Sequence, residues 1–324
     1  MDIYETALRI IHESQQQLNG HAPFIQVNWA ELAVEETELE WLVEGFWPAS
    51  SHVHLFAGHK TGKSLLTLHT AVQIALGLDA FNGGKINPHD VVYIDREMTR
   101  ADIRERLFDM GMKSAMLSGA LERLHYYFYP SVGYLDTPEG GHNVMELVKE
   151  CGSDVVIIDT LSRVVKGDEN SNDTYRNFYN YTGALLKSEG IALLRLDHEG
   201  HQTGHSRGAS SKGDDVDLVY HLKPTDSGLD LVMKASRVDY VKHEINLQQG
   251  LDTLGFSETV HGGWPEGTKD KVKELDSLGI PEGSSFRKTK SLLREHGHLP
   301  GKSTVLLAAI RYRKERVDIP GLQP

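Results

Sequence analysis

The chain has 324 residues, of which 39% are hydrophobic and 25% are charged, and these proportions are ordinary for a soluble globular protein. A single cysteine, Cys151, excludes an intrachain disulfide and fits a reducing, cytoplasmic setting. The formal charge of −12 argues against a surface that is uniformly coated by nucleic acid.

Residues 1–40 are helix-prone, acidic and poorly patterned, and we predict that they form an amino-terminal arm. The segment begins MDIYETALRI and lacks the basic stretch and apolar run of a secretory signal. No apolar stretch in the chain approaches the roughly 20 residues that a membrane span requires. These features predict a cytoplasmic protein with no membrane partner.

Strand-like and helix-like runs alternate between about residues 50 and 260. The strand-like runs are continuously apolar and rich in β-branched residues, which is typical of strands buried on both faces of a parallel sheet. They are HVHLFA (52–57), DVVYID (90–95), RLHYYFY (123–129), DVVIID (154–159), IALLRLD (191–197) and DLVYHL (217–222). Helix-like runs follow Ser64, begin at Thr99 as a predicted N-cap, and span roughly 173–188. The alternation predicts a doubly wound α/β sheet.

The pattern changes after Arg237. Residues 229–257 predict antiparallel strands, and a glycine- and proline-rich joint follows at 262–267. Three short helical runs come next, at 268–278, 284–296 and 301–316. The predicted domains are an amino-terminal arm (1–40), an α/β core (41–260) and a small helical, helix-turn-helix-like module (268–318).

The segment AGHKTGKS lies between the first strand-like run and an amphipathic helix. It matches the P-loop pattern except at the first position, where Ala57 replaces a glycine. Backbone N–H groups of such a loop point at phosphate oxygens, while Lys63 would reach the β- and γ-phosphates and the Ser64 hydroxyl would ligate Mg²⁺. This predicts a site for ATP and Mg²⁺. The predicted nucleotide-binding residues are Gly58, His59, Lys60, Thr61, Gly62, Lys63, Ser64 and Leu65.

Acidic residues end two of the other predicted strands. Asp159 closes DVVIID, and a buried strand that ends in an acid downstream of a P-loop is the Walker B arrangement, in which the acid holds the Mg²⁺ shell. Asp95 and Glu97 close VVYIDREM. We predict Glu97 as the general base that polarises the attacking water, and the alternative for Asp95 is a cap of the strand end.

The run IALLRLDHEGH ends a further strand with Asp197 and His198. A polar residue at this place can sense the γ-phosphate and relay its presence to the following loop. His198 can do so as a hydrogen-bond donor. A purely structural strand-end histidine is the alternative.

With these residues placed, the chain resembles the RepA-type branch of RecA-fold ATPases, the hexameric replicative helicases of plasmids and phages. The resemblance covers roughly residues 40–245. It rests on WLVEGFWP, AGHKTGKS, VVYIDREM, VVIIDTLSRVVKGDENSND, LDHEGH followed by HSRGASSKGDDVDLVYHL, and KASRVDY. It implies a RecA-like core, a homo-oligomeric ring and an ATPase that depends on single-stranded DNA. It also implies Glu97 as catalytic base, Asp159 as Walker B acid and His198 as sensor.

The same resemblance implies residues that act on a neighbouring subunit. In related rings a Lys and an Arg on a late strand reach the neighbour's γ-phosphate, and Lys234 and Arg237 occupy such a place. Arg237 would be the arginine finger, because a guanidinium spreads charge over the phosphoryl oxygens in the transition state. Arg207 is a rival finger or a DNA contact, since it shares the glycine- and serine-rich loop 199–213 with Lys212.

The carboxyl-terminal segment 281–324 is basic, with nine Lys or Arg against four acids, a net +5 on a body of −17. This asymmetry favours an anionic partner for the tail. The predicted DNA contacts there are Arg287, Lys288, Arg311 and Arg313. A solvated basic face that complements the helix dipoles is the alternative.

Three functions stay open on these observations. The favoured one is a ring-shaped ATPase that moves on single-stranded DNA and unwinds duplex, because the phosphate, metal and candidate-base residues form a complete set. The second is an ATPase switch or loader in replication or recombination that does not unwind. The third is a DNA-binding regulator whose core only forms oligomers. Fold alone does not decide among them.

Overall fold

The structure is a computed structural model, and it describes residues 27–34, 39–168, 171–200, 213–225, 228–250, 253–259 and 267–318. Its strands are β1 (Trp41–Val43), β2 (Trp47–Pro48), β3 (His52–Ala57), β4 (Val91–Asp95), β5 (Leu124–Phe128), β6 (Val155–Asp159), β7 (Ala192–His198), β8 (Leu218–Thr225), β9 (Gly228–Ser236), β10 (Glu244–Gln249) and β11 (Phe256–Glu258).

The helices are α1 (Trp29–Val34), α2 (Lys63–Ala75), α3 (Arg100–Asp109), α4 (Lys113–Ser118), α5 (Pro138–Cys151), α6 (Asn172–Phe178), α7 (Ala184–Ser188), α8 (Thr268–Ser277), α9 (Phe286–Glu295) and α10 (Ser303–Asp318). A 3₁₀ turn covers Leu161–Arg163, and a π-helical segment, Tyr179–Gly183, joins α6 to α7. Among the described helices, none combines the length and the apolarity that crossing a bilayer requires.

Nine of the described strands form one sheet, in the order β11-β10-β9-β8-β3-β7-β6-β4-β5. The strands from β8 to β5 pair in parallel, whereas β8, β9, β10 and β11 pair with one another in antiparallel fashion. Strands β3 to β8 coincide with the six runs predicted from the sequence, and β9 to β11 lie in the segment predicted to be antiparallel. The predicted α/β class, a mostly parallel sheet with antiparallel strands at its end, is confirmed.

The parallel strands are buried because successive side chains enter hydrophobic layers on opposite faces of the sheet. In β4, Tyr93 packs into one layer together with Leu55, while Val92 and Ile94 pack into a second layer with Val156. Full burial of such an aliphatic side chain contributes about 1.5–3 kcal/mol. Double burial explains why continuous apolar runs, rather than alternating ones, mark these strands.

Helix α5 was not predicted from the sequence. Thr137 caps it by accepting a hydrogen bond from the N–H of Gly140. Two internal glycines, Gly140 and Gly141, interrupt the helical pattern. A Cβ at these positions would lie 1.9 Å from Tyr134 O and 1.7 Å from Tyr181 O, so α5 packs directly against backbone and glycine is required there.

The last three helices form a small module with its own apolar cluster, and their bounds agree with the predicted runs to within two residues. The cluster comprises Val272, Leu275, Ile280, Phe286, Leu293, Leu306, Ala309 and Ile310. The ring of Tyr240, on the connection between β9 and β10, lies 5.9 Å from that of Trp41 and 6.3 Å from that of Phe286, so it bridges core and module. The division into arm, core and module stays a prediction.

Arg313 corrects one expectation about the module. This residue was expected to contact DNA, but it is only 4% exposed. Its guanidinium donates to Ile280 O at 2.6 Å, and Nε lies 2.8 Å from Asp276 Oδ1. Arg313 therefore ties α10 to the end of α8 and does not face an external phosphate. The helical period of α10 places the Arg313 side chain at the border between the exposed face of the helix and the face that packs on the apolar cluster.

We predict that Arg313→Ala lowers the free energy of unfolding by about 2 kcal/mol, because it removes a charged hydrogen bond and leaves the buried carbonyl of Ile280 without its donor. Urea denaturation monitored by tryptophan fluorescence measures the change. Lys314→Ala, at the exposed neighbouring position, is the matched control and should change stability by less than about 0.5 kcal/mol. Equal effects of the two substitutions would contradict the anchoring role.

Candidate nucleotide site at the carboxyl edge of the sheet

Four neighbouring strands, β3, β7, β6 and β4, end at the same edge of the sheet. The register places Ala57 opposite His198 and Asp95 opposite Asp159, so the segments that follow these strands start side by side. In doubly wound folds, ligands bind outside the carboxyl ends of the strands. The predicted phosphate, metal, base and sensor residues all lie at these four strand ends or just beyond them.

The loop between β3 and α2 turns through left-handed backbone conformations. Lys60 has a φ of 57° and Gly62 a φ of 97°, and Gly62 is the N-cap of α2 with no side-chain cap. The Thr61 hydroxyl donates to Gly58 O at 2.9 Å and braces the turn. The first N–H groups of α2 consequently point into the loop, which is the geometry that binds anions at a helix start. All eight predicted loop residues lie in this turn or in the first turn of α2.

The side chain of Lys63 folds back over the loop and is 5% exposed. Its ammonium donates to Ala57 O and to Gly58 O, both at 3.0 Å. An ammonium has three donors, so Lys63 can hold the loop and still meet a phosphate oxygen. Burial lowers the pKa of Lys63, while the carboxylates of Asp159 and Glu97 act in the opposite direction.

Asp159, the predicted metal ligand, is 1% exposed. The Tyr93 hydroxyl donates to its Oδ2 at 2.9 Å, whereas Oδ1 forms no hydrogen bond with the residues that the structure describes. Burial raises the pKa of Asp159 to about 6, and the nearby hydroxyls of Ser64 and Tyr93 oppose this shift. This buried carboxylate oxygen, Oδ1, receives no hydrogen bond from the described residues and lies next to a serine hydroxyl. Together with phosphate oxygens, these two oxygen atoms are ligands that suit Mg²⁺. The residues therefore fit the implied metal.

Glu97, the predicted base, has a side chain that is 30% exposed and so remains open to water. Its Oε1 accepts a hydrogen bond from Thr160 Oγ1 at 3.1 Å and lies 3.6 Å from Arg163 Nε and 4.0 Å from His198 Nε2. Asp95 is fully buried, and its Oδ1 accepts the N–H of Glu97 at 2.7 Å. Of the two acids, Asp95 caps the strand end and Glu97 faces the site.

His198, the predicted sensor, lies beside the phosphate loop. Its ring stacks on that of His59, with centroids 4.6 Å apart. Burial lowers the pKa of His198, and the positive charges of Lys63 and His59 lower it further, while Glu97 acts in the opposite direction. A neutral imidazole donates from one ring nitrogen and accepts at the other, which suits a hydrogen bond to phosphate.

Arg237 lies at the opposite edge of the sheet, and Lys234 lies level with the middle of β3. Lys234 is exposed and is the extra residue of a β-bulge, because β8 pairs with the residues on either side of it. The N–H of Arg237 donates to Asp217 O, and Asp217 accepts the N–H of His52 at the start of β3. From His52 to Ala57 the strand rises roughly 17 Å, at about 3.3 Å per residue. Arg237 therefore cannot reach the phosphate loop of its own chain.

The predicted DNA contacts have separate outcomes. Arg207 and Lys212 lie outside the described residues. Arg287 and Lys288 are exposed in the first turn of α9, and Arg311 is half-buried on α10. The candidate surface on the module is therefore smaller than the charge count indicated.

Sequence reasoning missed the residues that hold the predicted acids in place. Thr160 was not singled out, and neither were Tyr93 and Tyr126, which donate to Asp159 and Asp95. The strand period alone places Tyr93 on the same face as Asp95, but cross-strand partners depend on the order of strands in the sheet. No motif spacing encodes that order.

Comparison with known proteins agrees with this geometry. Residues 19–204, more than half of the chain, match the family model of the AAA domain. Among solved structures, the KaiC-like protein PH0186 from the hyperthermophilic archaeon Pyrococcus horikoshii OT3 is similar, with a TM-score of 0.50 and 13% sequence identity. The alignment covers 69% of this chain and 99% of that chain, and at this identity it supports the fold alone. A search of curated proteins gave no match.

The chain therefore belongs to the AAA domain family and is an ATPase domain with a RecA-like α/β fold.

Proposed function

We propose that this protein binds ATP with Mg²⁺ at the carboxyl edge of its sheet, hydrolyses it in a homo-oligomeric ring, and uses the energy to move on and unwind DNA, as replicative helicases do. One observation carries the proposal: the buried ammonium of Lys63, the carboxylate of Asp159 and the accessible carboxylate of Glu97 converge on one loop. Within the described part of the chain, Oδ1 of Asp159 has no hydrogen-bond partner.

The loop supplies binding. Backbone N–H groups after Gly62 receive the phosphates, and the Lys63 ammonium neutralises the β- and γ-phosphate oxygens. Ser64 and Asp159 would hold the metal ion, which would supply positive charge to neutralise the charge that develops on the phosphate oxygens. Because Lys63 and Asp159 are withdrawn from water, their electrostatic effect on the phosphates is larger than it would be at an exposed surface.

Glu97 supplies the base. Its carboxylate accepts a proton from the attacking water as the water oxygen bonds to the γ-phosphorus and the bond to the bridging oxygen breaks. The Thr160 hydroxyl and the buried Asp95 keep this carboxylate oriented, since they bind its Oε1 and its backbone N–H. His198, within 4.0 Å of the same carboxylate, is suited to report the γ-phosphate to the segment that follows β7.

A second copy of the chain supplies Arg237 as the arginine finger. Arg237 lies at the opposite end of β3 from its own loop, so any role at a phosphate requires the loop of another copy. Its side chain is 55% exposed. The guanidinium donates to Asp214 O and lies 4.0 Å from Asp217 Oδ1, and with five N–H donors it keeps others for a partner phosphate. Lys234 is exposed at a bulge in β9, the strand that ends just before Arg237, and bulges commonly redirect a side chain.

The first prediction concerns Lys63 in the phosphate loop. Lys63→Ala should weaken binding of Mg²⁺–ATP and lower hydrolysis by about 100-fold or more, because the buried charge on the γ-phosphate is lost. Calorimetry measures binding and phosphate release measures hydrolysis. Lys149→Ala, an exposed lysine on α5, is the control and should leave both unchanged. Absence of Mg²⁺–ATP binding by the unmodified chain would rule out the proposed function.

The second prediction concerns the shared site. Arg237→Ala should still bind ATP and assemble, yet hydrolyse about 1,000-fold more slowly, which is typical of the loss of an arginine finger. Mixing it with Lys63→Ala should restore part of the activity, because each Lys63→Ala subunit brings an intact Arg237 to its neighbour's intact loop.

Arg176→Ala, an exposed arginine on α6, is the matched control for that experiment. Native mass spectrometry with Mg²⁺–ATP verifies assembly. Normal hydrolysis by Arg237→Ala, or no recovery in the mixture when both variants assemble, would exclude Arg237 as a finger.

The third prediction concerns DNA. A single-stranded oligonucleotide should stimulate ATP hydrolysis, and a forked duplex should be separated at saturating ATP. The double substitution Arg287→Glu and Lys288→Glu should weaken DNA binding. The slope of log affinity against log salt concentration should also become shallower, by the equivalent of up to about two phosphate contacts. The charge-matched control is Lys269→Glu with Lys273→Glu on α8.

The outcomes of this third experiment separate the candidate functions. Stimulated hydrolysis with an intact fork would favour a non-unwinding switch or loader. Binding to one defined duplex sequence, independent of ATP, would favour a DNA-binding regulator.

A further inference from the structure

Two stacked tyrosines lie behind the acidic residues of the site. Tyr93 in β4 and Tyr126 in β5 are direct neighbours in the sheet, and their rings stack with centroids 4.6 Å apart and planes at 13°. Tyr93 is 1% exposed and belongs to the core, and Tyr126 packs against it. We call these two residues the tyrosine pair.

Each tyrosine of the pair donates to an aspartate on the neighbouring strand, two residues further along. Tyr93 lies opposite Ile157 and donates to Oδ2 of Asp159 at 2.9 Å. Tyr126 lies opposite Tyr93 and donates to Oδ2 of Asp95 at 2.5 Å. The same diagonal step is used twice, so the two hydroxyls approach the carboxyl edge from inside the sheet.

Asp159 and Asp95 differ in what binds their second carboxylate oxygen, Oδ1. Asp159 keeps Oδ1 without a hydrogen-bond partner among the described residues. Asp95 uses Oδ1 to accept the N–H groups of Glu97 at 2.7 Å and of Met98 at 3.2 Å. Tyr93 therefore acts on the metal ligand, and Tyr126 acts on the turn that presents the base.

In both hydrogen bonds the tyrosine hydroxyl is the donor, because an ionised carboxylate can only accept. The stacked, packed rings fix where each hydroxyl lies, and a donor at a fixed place selects one rotamer of the carboxylate that it binds.

We propose that the tyrosine pair consists of positioning residues for the ATP hydrolysis proposed above. Tyr93 holds Asp159 by one oxygen and leaves the other available as a metal ligand. Tyr126 holds Asp95 and, through it, the backbone of Glu97. The inference rests on the proposed function, and it adds two residues whose hydroxyls bind the aspartates of the site.

Tyr93→Phe keeps the ring and its stacking and removes only the hydroxyl. Loss of such a partner behind a ligand typically weakens metal binding, here by about tenfold. The readout is Mn²⁺ affinity of the full chain with ADP, measured by the electron paramagnetic resonance signal of free Mn²⁺. Affinity for ADP in EDTA should stay the same.

Tyr126→Phe should behave differently. It should lower kcat for ATP by about tenfold, because Glu97 loses its fixed turn, while Mn²⁺ affinity and KM for ATP stay close to those of the unmodified chain. Tyr127→Phe is the matched control. That hydroxyl lies in the same strand but is 3.2 Å from Cys151 Sγ, and its loss should change neither quantity.

A double-mutant cycle separates positioning from general destabilisation. In an Asp159→Asn background, Tyr93→Phe should cause little further loss of Mn²⁺ affinity, because the carboxylate on which it acts is gone. Additive losses would overturn the assignment of Tyr93, and so would wild-type Mn²⁺ affinity in Tyr93→Phe alone.

The assignment of Tyr126 has its own test. Unchanged kcat in Tyr126→Phe, or a kcat loss matched by Tyr127→Phe, would overturn it. If the unmodified chain binds ADP and Mn²⁺ and hydrolyses ATP, any of these results counts against the tyrosine pair alone. If it binds neither, the proposed function fails as well.

Discussion

Lys63 and Asp159 carry opposite charges, and the fold buries both at one edge of the sheet. The other contacts of the site compensate the free energy that this desolvation costs. Taking an ion out of water costs several kcal/mol unless hydrogen bonds and an opposite charge compensate it. Two loop carbonyls hold the ammonium, and the Tyr93 hydroxyl holds the carboxylate. Among the described residues, compensation is incomplete at Oδ1 of Asp159, and this oxygen is the proposed ligand of a divalent cation. The cost of burial and the proposed capacity to bind a metal phosphate thus have the same origin.

The sheet separates the two halves of the proposed reaction. The parallel strands bring the loop and the predicted metal ligand, base and sensor to one edge, because these strands all run in the same direction. The appended strand β9 runs in the opposite direction and delivers Arg237 to the other edge. A single copy therefore carries both a phosphate loop and a finger candidate that cannot meet each other. In this arrangement, hydrolysis would depend on assembly, which gives a physical reason for coupling ATP turnover around a ring.

A count of charged residues overestimates the basic surface that the carboxyl-terminal module exposes. The tail carries a net +5, yet Arg313 is buried between α10 and the end of α8 and serves the packing of the module. Arg287 and Lys288 remain on the exposed first turn of α9. The module also bears on Tyr240, three residues beyond Arg237 in the same connection. Any partner that displaces the module would therefore act close to the finger candidate.

The sequence by itself determined the local features of this protein. Doubly buried strands need continuous apolar runs, a phosphate loop needs glycine and lysine at set spacing, and a capped helix needs a residue such as Thr99, so these parts were predicted from neighbouring residues. Only the tertiary structure decided the rest. Helix α5 was missed because its two glycines are required by backbone that packs against them from outside the helix. Arg313 was wrongly expected on the surface because its partners lie outside its own helix. The tyrosine pair depends on strand order, which sequence periodicity does not contain, since a residue's partners across a sheet are set by pairing and not by spacing along the chain.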